Sequence, residues 1–420
     1  MRSSRKFIPL AHSRKNIQNK MLRLAETFKK SMSMGDYFEA RKCCESVLAL
    51  SPDNPSVLND YALTLMRTGD HLMAYDIYMK MFMSKEQKQF PGNWLDGLAE
   101  VCGWLGKTEE LQKYGHYSLT LSDQACSNGA RYELPSEAPP QFDPSDKTQN
   151  VISFSLYGAS PKYCETMIKN AEIATELYPA WACRVYYNDS VPETVINRLR
   201  ELAVQLFDMT GESEITPTMW RFLVMDDPSV TRYLLRDADS LFSEKEVAAV
   251  NEWLASPYWF HHMRDYFTHT ELLLAGLWGG CRGGFPCVKE LMVKFVRQYN
   301  GSARFTDQQF LRSEVWPTVR QSILNHDEIF LFHHAQRYPT HAPVRWQTEH
   351  FHIGSNTSYS SIGGTADSAD GSKITVRLET RKHYVDYEVN VQNGRWTLPL
   401  PFFLVDDYQK GELKITAQRG

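Results

Sequence analysis

Between residues 150 and 250, short apolar runs alternate with stretches of helical period, and this alternation constrains the fold more than any other feature of the chain. "NVISFSLYG" reads as a strand ending at Gly158, and residues 162–177 carry a helical pattern. "WACRVYYND" supplies a second strand, and "PETVINRLRELAVQL" a helix that begins after Pro192. Alternating strands and helices specify an α/β fold with a largely parallel sheet, since parallel neighbours need crossover connections. Ligands bind such sheets beyond the carboxyl ends of the strands.

One candidate site has that position. In "RYLLRDADSLFSEKEVAAV", residues 232–250, two carboxylates, Asp237 and Asp239, follow an apolar run and precede a helix start with Ser243 as N-cap and Glu246 at capping-box spacing. Carboxylates so close repel unless a cation lies between them, and a divalent ion is the economical choice. The loop is no EF-hand, because Leu241 and Phe242 stand where that loop needs an oxygen ligand and a glycine. No Walker lysine loop or GxGxxG turn is present.

Two differently patterned regions flank this one. Ahead of it, "GDYFEARKCCESVLALSPDNP" from Gly35 and "GDHLMAYDIYMKMF" from Gly69 repeat with a period of 34 that also maps Ala40 onto Ala74, and a looser copy starts at Gly106. Turn glycine, crossing alanine and Pro52 in the inter-repeat turn resemble the tetratricopeptide repeat, over residues 21–128 behind a basic tail at 1–20. Such arrays stack into solenoids that grip a peptide or protein, or serve as packing modules. The Pro-, Asp- and Ser-rich segment at 129–148 reads as a linker. Beyond the α/β region (149–340), residues 355–420 alternate apolar and polar side chains, with turn signals at Asn393-Gly394 and Gly411 and no helix-length stretch. That pattern reads as a small all-β sandwich and loosely resembles bacterial immunoglobulin-like modules.

Five ordered blocks, "VISFSLYG", "YPAWACRVYYNDSVPE", "MWRFLVMDDPSVTRYLLRDADS", "FHHMRDYFTHTELLLAGLWGG" and "TDQQFLRSEVWPTVRQSILNHD", resemble bacterial and viral glycosyltransferases of the GT-A fold, with its Rossmann-like mixed sheet. The resemblance implies a divalent ion, Mn2+ or Mg2+, held by Asp237 and Asp239 against the diphosphate of a nucleotide sugar. It also implies a later histidine in the metal shell, His326, with His334 as competitor. The nucleotide would lie along Ser155, Leu156, Tyr157 and Gly158, and Arg221 and Arg236 become candidate phosphate contacts. For Arg236 an ion pair with Asp226 or Asp227 is the alternative. His262, Arg264, Asp265 and His269 would face sugar or acceptor, with Gly279 and Gly280 in the loop behind them, whereas Trp278 and Phe260 read first as core. Asp307, beside Gln308 at the start of a helix, is the candidate general base or else an N-cap, and Asp265 is the second candidate catalytic carboxylate.

The implied function is sugar transfer to a protein or glycan acceptor, with the repeats available for docking. The rival is an adaptor with a catalytically silent middle domain in surface-polysaccharide or glycoprotein assembly. A formal charge of −4 over 420 residues gives no general attraction for nucleic acid or anionic lipid. With 42% apolar and 23% charged residues the composition is globular. No apolar run of signal or membrane-span length follows the basic start. The eight cysteines include no CxxC pair, so they read as reduced thiols in a cytoplasmic protein, and Cys281 and Cys287 as packing residues before metal ligands.

Overall fold

The computed structural model describes residues 10–418 apart from 86, 91, 93 and 127, with side chains described from 17 onward. The chain divides into two compact units, Met1–Leu121 and Ser122–Gly420. Residues 1–9 of the expected basic tail lie outside the described residues, and 10–20 belong to a helix rather than a tail.

The first unit is built from α1 (Leu10–Met34), α2 (Tyr37–Leu48), α3 (Pro55–Arg67), α4 (His71–Phe82), α5 (Trp94–Trp104) and α6 (Thr108–Cys126, running past the unit boundary). Gly35, Gly69 and Gly106 each stand in a turn between helices with φ of +73°, +83° and +69°, the left-handed backbone that glycine adopts without steric cost. Asp36 and Asn54 cap α2 and α3 by accepting from the Glu39 and Val57 amides. Ala40 and Ala74 are completely buried.

In the second unit, a seven-stranded mixed sheet contains β1 (Asn150–Leu156), β2 (Ala182–Tyr187), β3 (Gln205–Asp208), β4 (Arg232–Arg236), β5 (Phe260–Arg264), β6 (Leu277–Cys281) and β7 (Ile323–Asp327). Its order is β3-β2-β1-β4-β6-β5-β7. Only β6 runs against its neighbours β4 and β5. Residues of β1 and β4 to β7 are buried along their full length, as in a sheet covered on both faces by helices. The covering helices include α7 (Pro161–Leu177), α8 (Glu193–Glu201), α9 (Glu244–Leu254), α10 (Val288–Gln298), α11 (Thr306–Phe310) and α12 (Trp316–Val319).

Three expectations change here. The helix expected through Leu206 stops at Glu201, where Ala203 (φ +56°) reverses the chain and Gln205–Asp208 joins β2 as an edge strand. The expected linker has little regular structure, yet it is fastened down. Arg232 donates to the Pro140 carbonyl at 2.6 Å, Phe142 stacks on Trp181, and Tyr132 exchanges hydrogen bonds with Thr318 and Gln321. The C-terminal region contains a helix, α13 (Phe402–Gln409), started by Pro401, beside a two-stranded sheet of β8 (Ser360–Thr365) with β11 (Arg395–Leu400). A three-stranded sheet of β9 (Lys373–Glu379), β10 (Tyr384–Asn390) and β12 (Lys414–Gln418) completes it. The run "PFFLVDD" lies in the region expected to be all β, but it has no alternation and follows a proline that suits a first helical turn. This region docks on α7, where Tyr387 donates to Glu165 at 2.8 Å.

Arg236, at the end of β4, is fully buried and paired at 2.7 Å with Glu246 of α9, a carboxylate that also accepts from Tyr178. Ser243 caps the Glu246 amide, but the reciprocal half of the expected capping box is absent because the Glu246 side chain is committed to Arg236. Removing one partner of such a pair leaves a buried unpaired charge. Glu246→Ala is therefore expected to lower unfolding free energy by about 3–5 kcal/mol, read from urea denaturation, against less than about 1 kcal/mol for the exposed pair partner Glu388→Ala.

Candidate functional site at the carboxyl ends of β1 and β4

The connections reverse direction between β1 and β4: the chain winds outward through β2 and β3 on one side and continues from β4 on the other. In open α/β sheets ligands bind outside the strand ends at such a switch point. Asp237, Ala238 and Asp239 follow β4 directly, while Tyr157 and Gly158 follow β1. The acidic turn is fixed from behind by Asn170, whose amide donates to the Ser240 carbonyl at 2.7 Å and accepts from the Phe242 amide. Thr357 donates its backbone N–H to the Asp239 carbonyl at 2.9 Å.

Arg221 brings the remaining charges together. Its Nη1 bonds Asp237 Oδ1 and its Nη2 bonds Asp307 Oδ2 at 2.8 Å, so one buried guanidinium bridges two carboxylates from distant parts of the sequence. The short 3-10 segment carrying Arg221, Pro217–Asp226, is pinned to β1: Ser153 Oγ donates to the Arg221 carbonyl at 2.8 Å, and Ser155 Oγ accepts its N–H at 3.0 Å. Those serines lie on one face of β1, two residues apart, as strand geometry requires. Asp239 is paired separately, with Lys162 Nζ of α7 at 2.7 Å from its Oδ2. Asp237 remains 42% exposed at its side chain, Asp239 19%.

Burial raises the pKa of Asp239, as does the neighbouring Asp237, against the opposing pull of Lys162. Asp307 is raised by burial too; Arg221 opposes this and Asp237 adds to it. The turn therefore contains more negative charge than its surroundings comfortably hold. The site has a further constraint in Gly276, just ahead of β6: a Cβ there would overlap the Asp237 carboxylate. Gly276 and Lys162 escaped the sequence reading. A glycine immediately before an apolar strand and a lysine in the first turn after the β1 glycine were the available signals.

Other candidates lie elsewhere. His326, on β7, is separated from β4 by β6 and β5. Both of its ring nitrogens are engaged, with His261 at 2.9 Å and with Glu252 at 2.8 Å, so the structure does not bring it to the acidic turn. Its competitor His334 is exposed at φ +53° in the loop after β7. Arg236 faces inward to Glu246, correcting both the phosphate role and the pairing with Asp226 or Asp227. The latter two instead cap the start of α10 and bind Arg184. Arg264 is fully buried on Asp327 at 2.9 Å, and His262 is buried between Asn325 Oδ1 and the Leu274 amide. Gly279 and Gly280 are not a loop: they lie in β6, where a Cβ would strike the Tyr233 backbone or the Phe260 and Tyr233 rings. Leu156, Trp278, Phe260 and His269 are likewise buried. Cys281 is buried in β6 and Cys287 exposed; among the described residues all eight cysteines are unpaired.

Asp265 follows β5 but is sealed under Ile353, whose N–H donates to it at 3.2 Å, with Lys245 at 3.4 Å. Burial pushes its carboxyl up to about 6. It is a strained buried acid rather than a group open to substrate.

Among the described residues, no group of three or more His, Cys, Asp or Glu is placed to hold a metal ion, and no helix is long and apolar enough to cross a membrane. No family model matches the sequence, and no curated protein matches it. Among solved structures, the chain is similar to a point mutant of the O-GlcNAc transferase of Thermobaculum terrenum, with 18% identity over 52% of this chain and 46% of that one (TM-score 0.28). It is also similar to a mannosyltransferase of Pyrobaculum calidifontis in complex with GDP-Man and Mn2+, with 12% identity, 56% and 67% coverage and TM-score 0.30. A third is 4-diphosphocytidyl-2C-methyl-D-erythritol synthase of Anaerococcus prevotii, with 9% identity, 43% and 89% coverage and TM-score 0.28. The chain spans less than half the length of the first of these.

A carboxyl whose folded pKa is raised to about 6 makes the folded state bind the extra proton, so its destabilising effect is absent below the unfolded carboxylate pKa and complete above about pH 6. Asp265→Asn, which mimics the protonated acid, should raise stability at pH 7.5 by on the order of 2 kcal/mol and change it little at pH 4. Denaturant titrations at the two pH values check this; equal effects at both would place the strain elsewhere.

Proposed function

We propose that the chain is a GT-A-type glycosyltransferase that moves a sugar from a nucleotide-diphosphate sugar to a protein or glycan acceptor, with a divalent ion held by Asp237 and Asp239. The observation carrying this reading is the pair of carboxylates at the sheet's switch point, with Arg221 fastening Asp237 to Asp307 beside it. The donor set fits a Mn2+ or Mg2+ ion that keeps its waters and takes its other ligands from substrate phosphates, since one or two protein carboxylates suffice there. His326 is no longer part of that set. When bound, such an ion neutralises charge that accumulates on a diphosphate leaving group.

The chain's own residues supply the rest. Arg221 is held rigidly by Ser155 and Asp307 and keeps a positive charge beside the crevice. Asp307, beside Arg221, is the carboxylate assigned to accept the proton of an acceptor hydroxyl in an inverting reaction. Tyr157, 40% exposed and packed edge-on to Trp220, offers a ring face to a nucleotide base beside Gly158. The helical unit is assigned to acceptor docking, the use that stacked helical hairpins most often serve.

A second reading, the adaptor with a silent middle domain, has one observation in its favour: each carboxylate of the turn already faces a protein cation. Turnover of a panel of nucleotide sugars with and without Mn2+ separates the two. Catalysis by the wild type that needs Mn2+ is expected, and Asp239→Asn, which removes an anionic ligand at constant volume, should lose about 100-fold or more at an unchanged melting temperature. Full activity in Asp239→Asn would remove the metal assignment, and inertness of the wild type toward every donor would leave the adaptor.

A further inference from the structure

The two cations of the acidic turn are not equivalent, and the difference points to a role for Lys162. Arg221 is 5% exposed, bonded at both Nη atoms to carboxylates, and anchored through its backbone to β1. Its planar fork is matched to a fixed arrangement and cannot leave without stranding Asp307. Lys162 has one ammonium on a flexible stem, is 26% exposed, and among the described residues makes a single ion pair, with Asp239 at 2.7 Å; its Nζ also lies 4.9 Å from the centre of the Tyr163 ring. It stands in the first turn of α7, the helix that follows β1, and pairs with the turn that follows β4. An ammonium of this kind can be released into solvent or onto another anion at small cost.

Charge balance says when release is favoured. Asp237, Asp239 and Asp307 against Arg221 and Lys162 leave one net negative charge. A divalent ion entering alone would reverse this to one net positive charge, and it must compete with Lys162 for Asp239. A divalent ion entering with a diphosphate brings an anion that both relieves the excess and gives the displaced ammonium a partner.

We propose that Lys162 is a releasable counter-ion that occupies Asp239 in the empty site and turns to the diphosphate of the donor when a divalent ion takes that carboxylate. This rests on the reading of Asp237 and Asp239 as metal ligands. Lys162 thereby couples the two binding events: it weakens binding of the ion alone and strengthens binding of the ion with nucleoside diphosphate. Coupling of this kind is reciprocal.

The test uses the full-length chain and its Lys162→Met and Lys162→Arg variants. Binding of Mn2+ alone is followed by the electron paramagnetic resonance signal of the free ion, and binding of ADP, CDP, GDP and UDP at saturating Mn2+ by calorimetry. For Lys162→Met, Mn2+ alone should bind on the order of tenfold more tightly, while the preferred nucleoside diphosphate binds on the order of tenfold more weakly. Lys162→Arg, which keeps the charge, should stay near the wild type in both. Mn2+ affinity in Lys162→Met that is unchanged or weaker overturns the proposal, as does an unchanged nucleoside diphosphate affinity. Wild-type protein that binds neither Mn2+ nor any of the four nucleotides overturns the metal reading itself along with it, an outcome distinct from a wild type that binds both and a variant that does not differ.

Discussion

The buried guanidinium of Arg221 is the interaction on which this end of the molecule depends. A charge removed from water is tolerated only when its donors are matched, and Arg221 is matched by carboxylates from two separate segments and by two serines of β1 at its backbone. It joins β1, the turn after β4, and α11 into one assembly. Among the described residues its Nε finds no acceptor, so the match is not complete. The position of Asp237 follows from this: the carboxylate sits between Arg221 and the backbone of Gly276, where no side chain could be accommodated. A turn held on both sides keeps its geometry whether or not a ligand is present, and such preorganisation lets a site bind charge without reorganising at the moment of binding.

The same charges explain why two carboxylates can stand one residue apart at a buried strand end. Burial first and then the neighbouring Asp237 push the pKa of Asp239 up, and the protein sets Arg221 against Asp237 and Lys162 against Asp239. These cations come from 16 and 77 residues away respectively, counting from Asp237 to Arg221 and from Asp239 to Lys162. No local pattern around the turn announces them.

What could be read from the sequence and what could not divides along this line. The strands at 150–156 and 182–187, the helix after Ser160, the acidic turn beyond β4 and the Ser243 cap are set by local period and capping chemistry, and each stands where its pattern put it. The edge strand β3 was hidden because its four residues continue the apolar period of α8 and only the left-handed Ala203 breaks it. The helix α13 was hidden by an apolar run too short to show a period. The site residues were hardest, since a conspicuous histidine or arginine does not reveal its partner. His326, Arg236, Arg264 and His262 all have the residue types of a ligand site, yet each is directed to a neighbour inside the fold.

That second group has a structural logic of its own. In β5 and β7, parallel neighbours, polar side chains pair across adjacent elements: Arg264 with Asp327, His262 with Asn325, and His261 with His326 and onward to Glu252 of α9. Asp327 also accepts three backbone N–H groups from the following loop, at Ile329, Phe330 and Phe332. Slipping β7 by one residue would turn each of these groups toward the opposite face and leave it unpaired in a buried strand, so the network fixes register where an apolar strand would tolerate slippage. One half of the sheet thus spends its polar residues on specifying its own pairing, and their donors and acceptors are almost all consumed. The other half ends in carboxylates that remain partly exposed, one of them paired with a lysine that solvent can reach. Residue type is the same in the two halves; what separates structure from candidate function is whether hydrogen-bonding and charge capacity is left over at the surface of the crevice.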